Sequence, residues 1–558
     1  MAPIPPTVQI EYEVYDVIII GAGPCGLAMA ARLQEETPSA IFTDEEHQRY
    51  HWIRKHKGKM ALVRAHARKN KEIRADRYRP LEPQSRPPLS CRQCHTVPRY
   101  STLVLDSSGN RWMERWHRLF RVLEIEQLRS PMFFHIDPGD RDGMLAYTQE
   151  TGREAELWEI PGCVGHELSK HKQKKMRTKT RVPREVEIDE RDRKDYYSPS
   201  TKLFADYCDS IAERYGLDAP DQRGQILHTD VHDIKFGPLP GSNTELFTIS
   251  TSRGVFHSRA AVLAIGPGHI KNFPWNLSAE EKAAACHSAD MDGEFANAHV
   301  REKIARGEST NVVVIGGGLS SAQIVDLVVR RGVTKVWYIM RSDLKVKHFD
   351  VSLNWVGKFK NYDKAVFWSA DSDEERFEML QAARNGGSIT PRYHKIIKRL
   401  ISQQRVSLHT RTTITDHQFD TSSKTWKLTT DPPIPGFPDA IDFIYFATGM
   451  RTDVNELPLL QSMKQDYPIK TIHGFPCLTD DLMWKEGVPL FVTGRLAALR
   501  LGPAGPNLEG ARAGAERIAW ALEDILNPGR RTQPKDQNES LQTALCGLGN
   551  RYAELAES

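Results

Sequence analysis

Gly21, Gly23 and Gly26 stand between an apolar run, Val17-Ile18-Ile19-Ile20, and an apolar helical stretch, Leu27-Ala28-Met29-Ala30-Ala31. The chemistry this spacing suits is the holding of a pyrophosphate. The first glycine makes a tight turn off a strand, the second lets backbone approach the anion, and the third lets helix and strand pack closely. Free N–H groups and the dipole at the helix N-terminus then favour negative charge. Pro24 and Cys25 fill the remaining positions of this fingerprint. Asp44 and Glu45 follow a short apolar stretch, at the distance of roughly 20 residues where an acid accepts adenosine ribose hydroxyls. The expected ligand is FAD.

A second fingerprint comprises Gly316, Gly318 and Ser321, with Ser320 beside them, after Val312-Val313-Val314-Ile315 and before another apolar helix. Ser321 takes the place of the third glycine, and a side chain this small still permits close packing. The next strand, Lys335 to Met340, ends at Arg341, where an NAD site usually carries an acid. An arginine pairs with a 2′-phosphate through a bidentate fork, so NADPH is expected. Ser342, Lys345 and Lys347 reinforce it, and Asp343 opposes it. The alternative is a solvated strand-end charge. Two such sites in one chain suggest a flavin and a nicotinamide exchanging a hydride.

These sites need an α/β architecture with two Rossmann-like dinucleotide-binding domains, a split FAD domain with an inserted NADPH domain. The expected boundaries are residues 1–305 for the first FAD part, with an insertion at about 47–200. Residues 306–440 form the NADPH domain, 441–526 the second FAD part and 527–558 a polar tail. Arg259 to Gly266 and Ile441 to Gly449 read as apolar strands ending in glycine turns, where the chain crosses between domains. Pro489 to Gly494 leads through a Gly/Pro-rich loop to a helix over Leu508 to Leu526, with Asn507 as its N-cap. That helix end could face the pyrimidine side of a flavin, which makes Gly494, Asn507 and Leu508 candidate cofactor residues. Thr390-Pro391 opens a helix in the insert. Leu128 to His135 is apolar and aromatic, either a pocket wall or a core element.

With 558 residues, 39% of them hydrophobic, and a net charge of +4, the chain reads as a soluble globular protein of two or three domains. No apolar run approaches the ~18 residues of a membrane span. Met1 to Pro6 lacks the charged and apolar parts of a secretion signal, and eight cysteines at this length make no disulfide framework. The expected compartment is the cytoplasm. Eight lysines and arginines crowd Lys170 to Arg184, but no aromatics interleave them and Glu185, Glu187 and Asp189 follow. A solvated loop fits better than a nucleic-acid surface. Cys91-Arg92-Gln93-Cys94-His95 matches thiol-redox and haem-attachment spacings, yet no second ligand pair completes a zinc site. No metal is expected, and the pair reads as unpaired thiols.

Taken together, the two fingerprints, G-G-G-L-S-S-A from Gly316 and G-P-A-G-P-N-L-E-G-A-R from Gly502 resemble the class B flavoprotein monooxygenases. Arg129 to Pro138 and Phe349 to Asn361 carry a nearer likeness to the oxidative stress-induced growth inhibitor family and related fungal FAD-dependent monooxygenases. The resemblance runs from Tyr15 to about Leu526. It implies an FAD-dependent, NADPH-using monooxygenase that inserts one atom of dioxygen into a small organic substrate, such as a secondary-metabolite intermediate. It identifies no catalytic side chain. The alternatives are a regulatory or redox-sensing flavoprotein, and an NADPH-dependent flavin reductase or disulfide/quinone oxidoreductase. The F-x-G-x-x-x-H signature of related monooxygenases keeps only His287, with Glu281 and Ala283 at its Phe and Gly positions. Ala289-Asp290-Met291 lacks the tryptophan of ketone oxidisers, which argues against Baeyer–Villiger chemistry.

Overall fold

The computed structural model describes residues 13–35, 100–160, 162–163, 196–218, 225–239, 244–268, 270–293, 295–356 and 360–527. Along the chain, β1 (Val14–Ile20), α1 (Pro24–Gln34), β2 (Thr102–Asp106), β3 (Gln225–His228) and β4 (Gly254–Leu263) come first. Then follow β5 (Asn311–Ile315), α2 (Leu319–Arg330), β6 (Lys335–Met340), α3 (Lys360–Trp368), β7 (Val406–Thr410) and β8 (Phe443–Phe446). β9 (Val488–Val492) and α4 (Leu508–Leu526) are the last of the elements that position the two edges.

Two sheets result, the first mixed around a parallel centre, with Met483–Lys485 antiparallel to β9, and the second wholly parallel. In the first, the strand order is Met483–Lys485, β9, β4, β1, β2, β3, and an antiparallel hairpin (Val231–Pro238 and Glu245–Thr251) extends from β4. In the second, the order is β7, β6, β5, β8 and then Ala285–His287, all parallel. Val17, Ile18, Ile19, Ala260 to Leu263 and Leu490 to Val492 are fully buried. Such near-continuous apolar runs suit strands covered on both faces. Helices on both sheets use small residues to approach closely, as α1 does with Ala28, Ala30 and Ala31.

β9 pairs with β4 across the whole inserted unit, so the first sheet is split in sequence as expected. The expected boundaries are too narrow. β8 pairs with β5 and Ala285–His287 pairs with β8, so both belong to the second sheet. The chain crosses between Leu263 and Ala285 and again between Phe446 and Met483, rather than at 306 and 441. An apolar strand ending in glycine reads alike whichever sheet it joins, because periodicity says nothing about its partner. β2 also interrupts the expected insertion at about 47–200: it lies parallel beside β1, with Ile20 opposite Leu105. Among the described residues, no helix is long and apolar enough to cross a membrane. Cys91, Cys94, the run 170–184 and the tail beyond Asn527 lie outside the described residues.

Candidate functional site

At the carboxyl edge of the first sheet, two glycines are sterically required. Gly21 has φ +112°, and a Cβ there would lie 2.6 Å from the Ala264 carbonyl oxygen. A Cβ on Gly26 would lie 1.9 Å from the Gly21 carbonyl oxygen. Gly23 differs: nothing stands within 4 Å of its would-be Cβ. It is the N-cap of α1 and offers no side-chain cap, with Pro24 opening the first turn. The first-turn N–H groups are thus left for an anion. Cys25 is wedged against Gly494, whose own Cβ would come within 3.0 Å of Sγ. Burial pushes the Cys25 thiol up to about 12, which removes it from thiolate chemistry near neutral pH.

Asp44 and Glu45 lie outside the described residues. The acid ending the strand beside β1 is Asp106. Its Oδ2 accepts the Ala22 N–H at 2.6 Å and its Oδ1 accepts the Ser108 N–H at 2.6 Å. A signal for it was present in the sequence, since Leu103-Val104-Leu105 is an apolar run closed by an acid and then Ser107-Ser108-Gly109.

The second edge repeats the construction. Gly316 has φ +146°, and its Cβ would lie 2.2 Å from the Ala447 carbonyl oxygen, as Gly21 does to Ala264. Gly318 faces open space as Gly23 does. Ser321 is buried; its Oγ donates to the Gly318 carbonyl at 2.6 Å and lies 2.7 Å from the Tyr338 hydroxyl. The third-glycine position therefore tolerates serine because its hydroxyl is satisfied. Ser320 is exposed at the first turn of α2. His287 lies 3.2 Å through Nε2 from the Gly449 carbonyl, while its Nδ1 accepts the Ala289 N–H at 3.1 Å. Burial lowers the pKa of this imidazole, and its two bonds pin the crossover strand.

Arg341 is exposed at the end of β6 and outside every ion pair among the described residues. Asp343, the charge that opposes a 2′-phosphate, is held by Arg411 at 2.8 and 2.9 Å. Lys345 is committed to Asn385 and Lys347 to the Arg384 carbonyl, so neither stands ready as the sequence suggested.

α4 brings a charged cluster to the first edge. Asn507 Oδ1 accepts the N–H groups of Glu509 and Gly510 at 3.0 and 3.3 Å. A Cβ on Gly510 would lie 2.4 Å from Gly505 backbone, and one on Gly514 2.5 Å from Thr493 Oγ1. These contacts lock the helix end to the carboxyl end of β9, with Leu508 buried behind it. Glu509 is 8% exposed, and its Oε1 accepts from Lys360 at 3.2 Å and Lys364 at 2.5 Å. Although burial raises its pKa, these lysines hold the carboxyl down at about 2. Among the described residues, Glu509 Oε2 and Asn507 Nδ2 are buried without partners. Open cradles at both fingerprints and bare polar atoms at this helix end fit a dinucleotide at each edge.

Leu128, Met132 and Phe134 are core, while the Phe133 ring lies 5.3 Å from Lys360 Nζ. Arg129 reaches across to the second unit and donates to the carbonyls of Lys347, His348 and Phe349 at 3.1, 3.0 and 2.6 Å. It also donates to Ser388 Oγ at 2.9 Å. The two segments that carry the nearer resemblance are therefore joined, which spacing alone could not reveal. A separate groove of about 570 Å³ opens beside Trp116, Phe120 and Thr201, and no fingerprint residue lines it.

Residues 198–452 match the model of the L-lysine 6-monooxygenase/L-ornithine 5-monooxygenase family. No curated protein matches the chain. Among solved structures, the ornithine N-hydroxylase of Kutzneria sp. 744, with reduced FAD, NADP+ and L-ornithine, aligns with a TM-score of 0.56 at 14% identity. That alignment covers 93% of this chain and 100% of the other. The ornithine hydroxylase of Pseudomonas aeruginosa gives 0.56 at 16% identity, over 92% and 100%. The FAD-bound cadaverine monooxygenase of Erwinia amylovora gives 0.55 at 15% identity, over 94% and 97%. The chain has the two-nucleotide fold of these flavin monooxygenases, and over residues 198–452 it is similar to the lysine and ornithine oxygenases.

Proposed function

We propose that the chain is an FAD-dependent, NADPH-using monooxygenase that places one atom of dioxygen on the nitrogen of a small amine. The observation that carries this reading is the pair of open glycine cradles, at Gly23 and Gly318, each at a helix N-terminus on the carboxyl edge of a parallel sheet. Nitrogen as the atom oxygenated rests on the family model over residues 198–452. FAD would lie with its pyrophosphate at Gly21, Gly23, Pro24, Cys25 and Gly26 and its pyrimidine ring near Gly494, Asn507 and Leu508. Asp106 takes the ribose role first expected of Asp44 and Glu45, since its carboxylate has acceptor sites beyond the two N–H groups it holds. NADPH would lie at Gly316, Gly318, Ser320 and Ser321, with its 2′-phosphate on Arg341.

When bound, the flavin supplies oxygen activation and the nicotinamide supplies the hydride. The chain binds and orients them and keeps the site dry; no side chain is assigned to the reacting atoms. The partners are an amine substrate and dioxygen, and the proposed compartment is the cytoplasm. The likeness to the growth-inhibitor family rests on the Arg129 and Phe349 segments, joined by the Arg129 guanidinium.

The test is anaerobic addition of NADPH to the purified protein, then labelled dioxygen with a panel of primary amines. Flavin bleaching and label in a hydroxylamine are expected, and Gly23→Asp should purify without flavin because its carboxylate would meet the pyrophosphate. Bleaching with electrons passing only to a quinone or disulfide would make the protein a reductase. No bleaching by either nicotinamide would make it a regulatory flavoprotein.

A further inference from the structure

The cluster at the start of α4 has a feature that structural stabilisation does not explain. Both lysines of α3 bind the same oxygen of Glu509, Oε1, while the buried Oε2 has no partner among the described residues. A bare buried carboxylate oxygen is costly, and a second lysine on Oε2 would have satisfied it. Two residues earlier, Asn507 Nδ2 is buried and equally bare. The orientation of that amide is fixed, because its Oδ1 must face the two N–H groups it caps. One acceptor and one donor, two residues apart in sequence, therefore lack partners among the described residues at a helix end on the nucleotide edge.

We propose that Glu509 and Asn507 are the recognition edge for the flavin pyrimidine ring, Glu509 Oε2 accepting its N3–H and Asn507 Nδ2 donating to an adjacent ring carbonyl. Lys360 and Lys364 set the charge of that edge. The inference rests on the FAD reading above and adds to it a residue and a function. An imide edge alternates acceptor and donor, which matches this pair in sense. The cluster of two lysines and one glutamate carries one net positive charge, and the N-terminal end of the α4 dipole adds to it. That field favours the reduced ring, which is an anion. α3 lies between β6 and β7 in sequence, yet its Phe367 packs into the core of the first sheet, so the inserted stretch delivers its lysines to that sheet's edge. Spacing at i and i+4 puts both on one face of the helix.

The experiment measures the midpoint potential, visible spectrum and dissociation constant of bound FAD in wild type, Glu509→Gln and Lys360→Met. Glu509→Gln removes the negative charge and leaves two lysines, so the potential should rise while FAD binds roughly tenfold more weakly. Lys360→Met leaves the carboxylate with one lysine, so the potential should fall. Opposite shifts in two variants with wild-type circular dichroism are a signature that packing damage does not produce. If both fold, retain FAD and show an unchanged potential, or shift it the same way, the proposal is wrong and the FAD reading stands. A wild type that takes up no FAD overturns both. Should Glu509→Gln fail to fold, Lys364→Gln carries the test, with the same fall expected as for Lys360→Met.

Discussion

Arg341 and His135 show how differently single residues can be read. Arg341 stood out in the sequence because an arginine at the end of the second strand suits one specific partner, a 2′-phosphate, and that role is the one proposed for it. The structure sharpens that reading by tying Asp343 to Arg411, which removes the nearest repelling charge. Arg341→Glu should therefore weaken NADPH roughly tenfold relative to NADH, the lower end of the range for a charged pair, because the site is exposed. Equal losses for both nicotinamides in stopped-flow flavin reduction would remove Arg341 as the discriminator. His135 carried no signal of its own. Burial, then the nearby Arg512, lowers its pKa from 6.5 to about 3, with Asp137, Arg141 and Asp142 around it. Between those values the unfolded chain binds more protons than the folded one. The contribution is complete above about pH 6.5 and is lost as pH falls toward 3, by about 1.4 kcal/mol per unit. His135→Asn should lose less stability than wild type between pH 7 and pH 5 in urea melts, with carboxylate effects common to both. Asp106, proposed for the ribose, escaped the sequence reading for a different reason. Asp44 sat at the usual spacing from the glycines, and residues 36–99 separate α1 from the strand that pairs with β1.

At the scale of elements, the strands and capped helices were plain in the sequence because each is a local pattern. Asn507 and Thr390 cap their helices as expected. What the pattern could not give was pairing between distant elements. The clearest case is the clamp between α1 and α4, where Arg32 and Glu516 form a two-pronged ion pair, one contact at 2.8 Å, with both side chains almost wholly buried. Arg32 also donates to the Glu35 carbonyl at 3.1 Å. Neither residue looked unusual, Arg32 in the last turn of an apolar helix and Glu516 midway along α4 among other charged residues. Removing one partner leaves an uncompensated buried charge, so Arg32→Leu alone should cost about 3–5 kcal/mol. Arg32→Leu with Glu516→Leu should recover much of that loss, because two apolar side chains fit a dry interface. Urea midpoints of the two variants decide it: if the double variant is no more stable than the single one, the clamp is worth more than its desolvation costs.

For the whole molecule, the proposed chemistry needs two nucleotide edges from different sheets to keep one relative geometry. Their separation in sequence was legible from the paired fingerprints; how they are held together was not. Arg129 is one such tie, a guanidinium from the first unit that satisfies three consecutive carbonyls and a hydroxyl of the inserted stretch, whose Phe349 and Val351 pack into the first core. It is largely buried, and burial pulls its pKa down to about 10, still far above neutral, so it stays charged while doing so. Phe349 to Trp355 follows those carbonyls directly and leads toward α3 and Lys360, so releasing them should loosen the approach of nicotinamide to flavin without touching the Gly23 cradle. Arg129→Met keeps the aliphatic stem and removes every one of these bonds. The variant should purify with its full complement of FAD but be reduced by NADPH roughly 10- to 100-fold more slowly, the cost expected when a donor and acceptor lose about 1 Å of alignment. With an amine substrate present, it should also release a larger share of its reducing equivalents as hydrogen peroxide, since a looser site admits water. A wild-type reduction rate in an Arg129→Met protein with normal flavin content would show that the two units are aligned by other contacts.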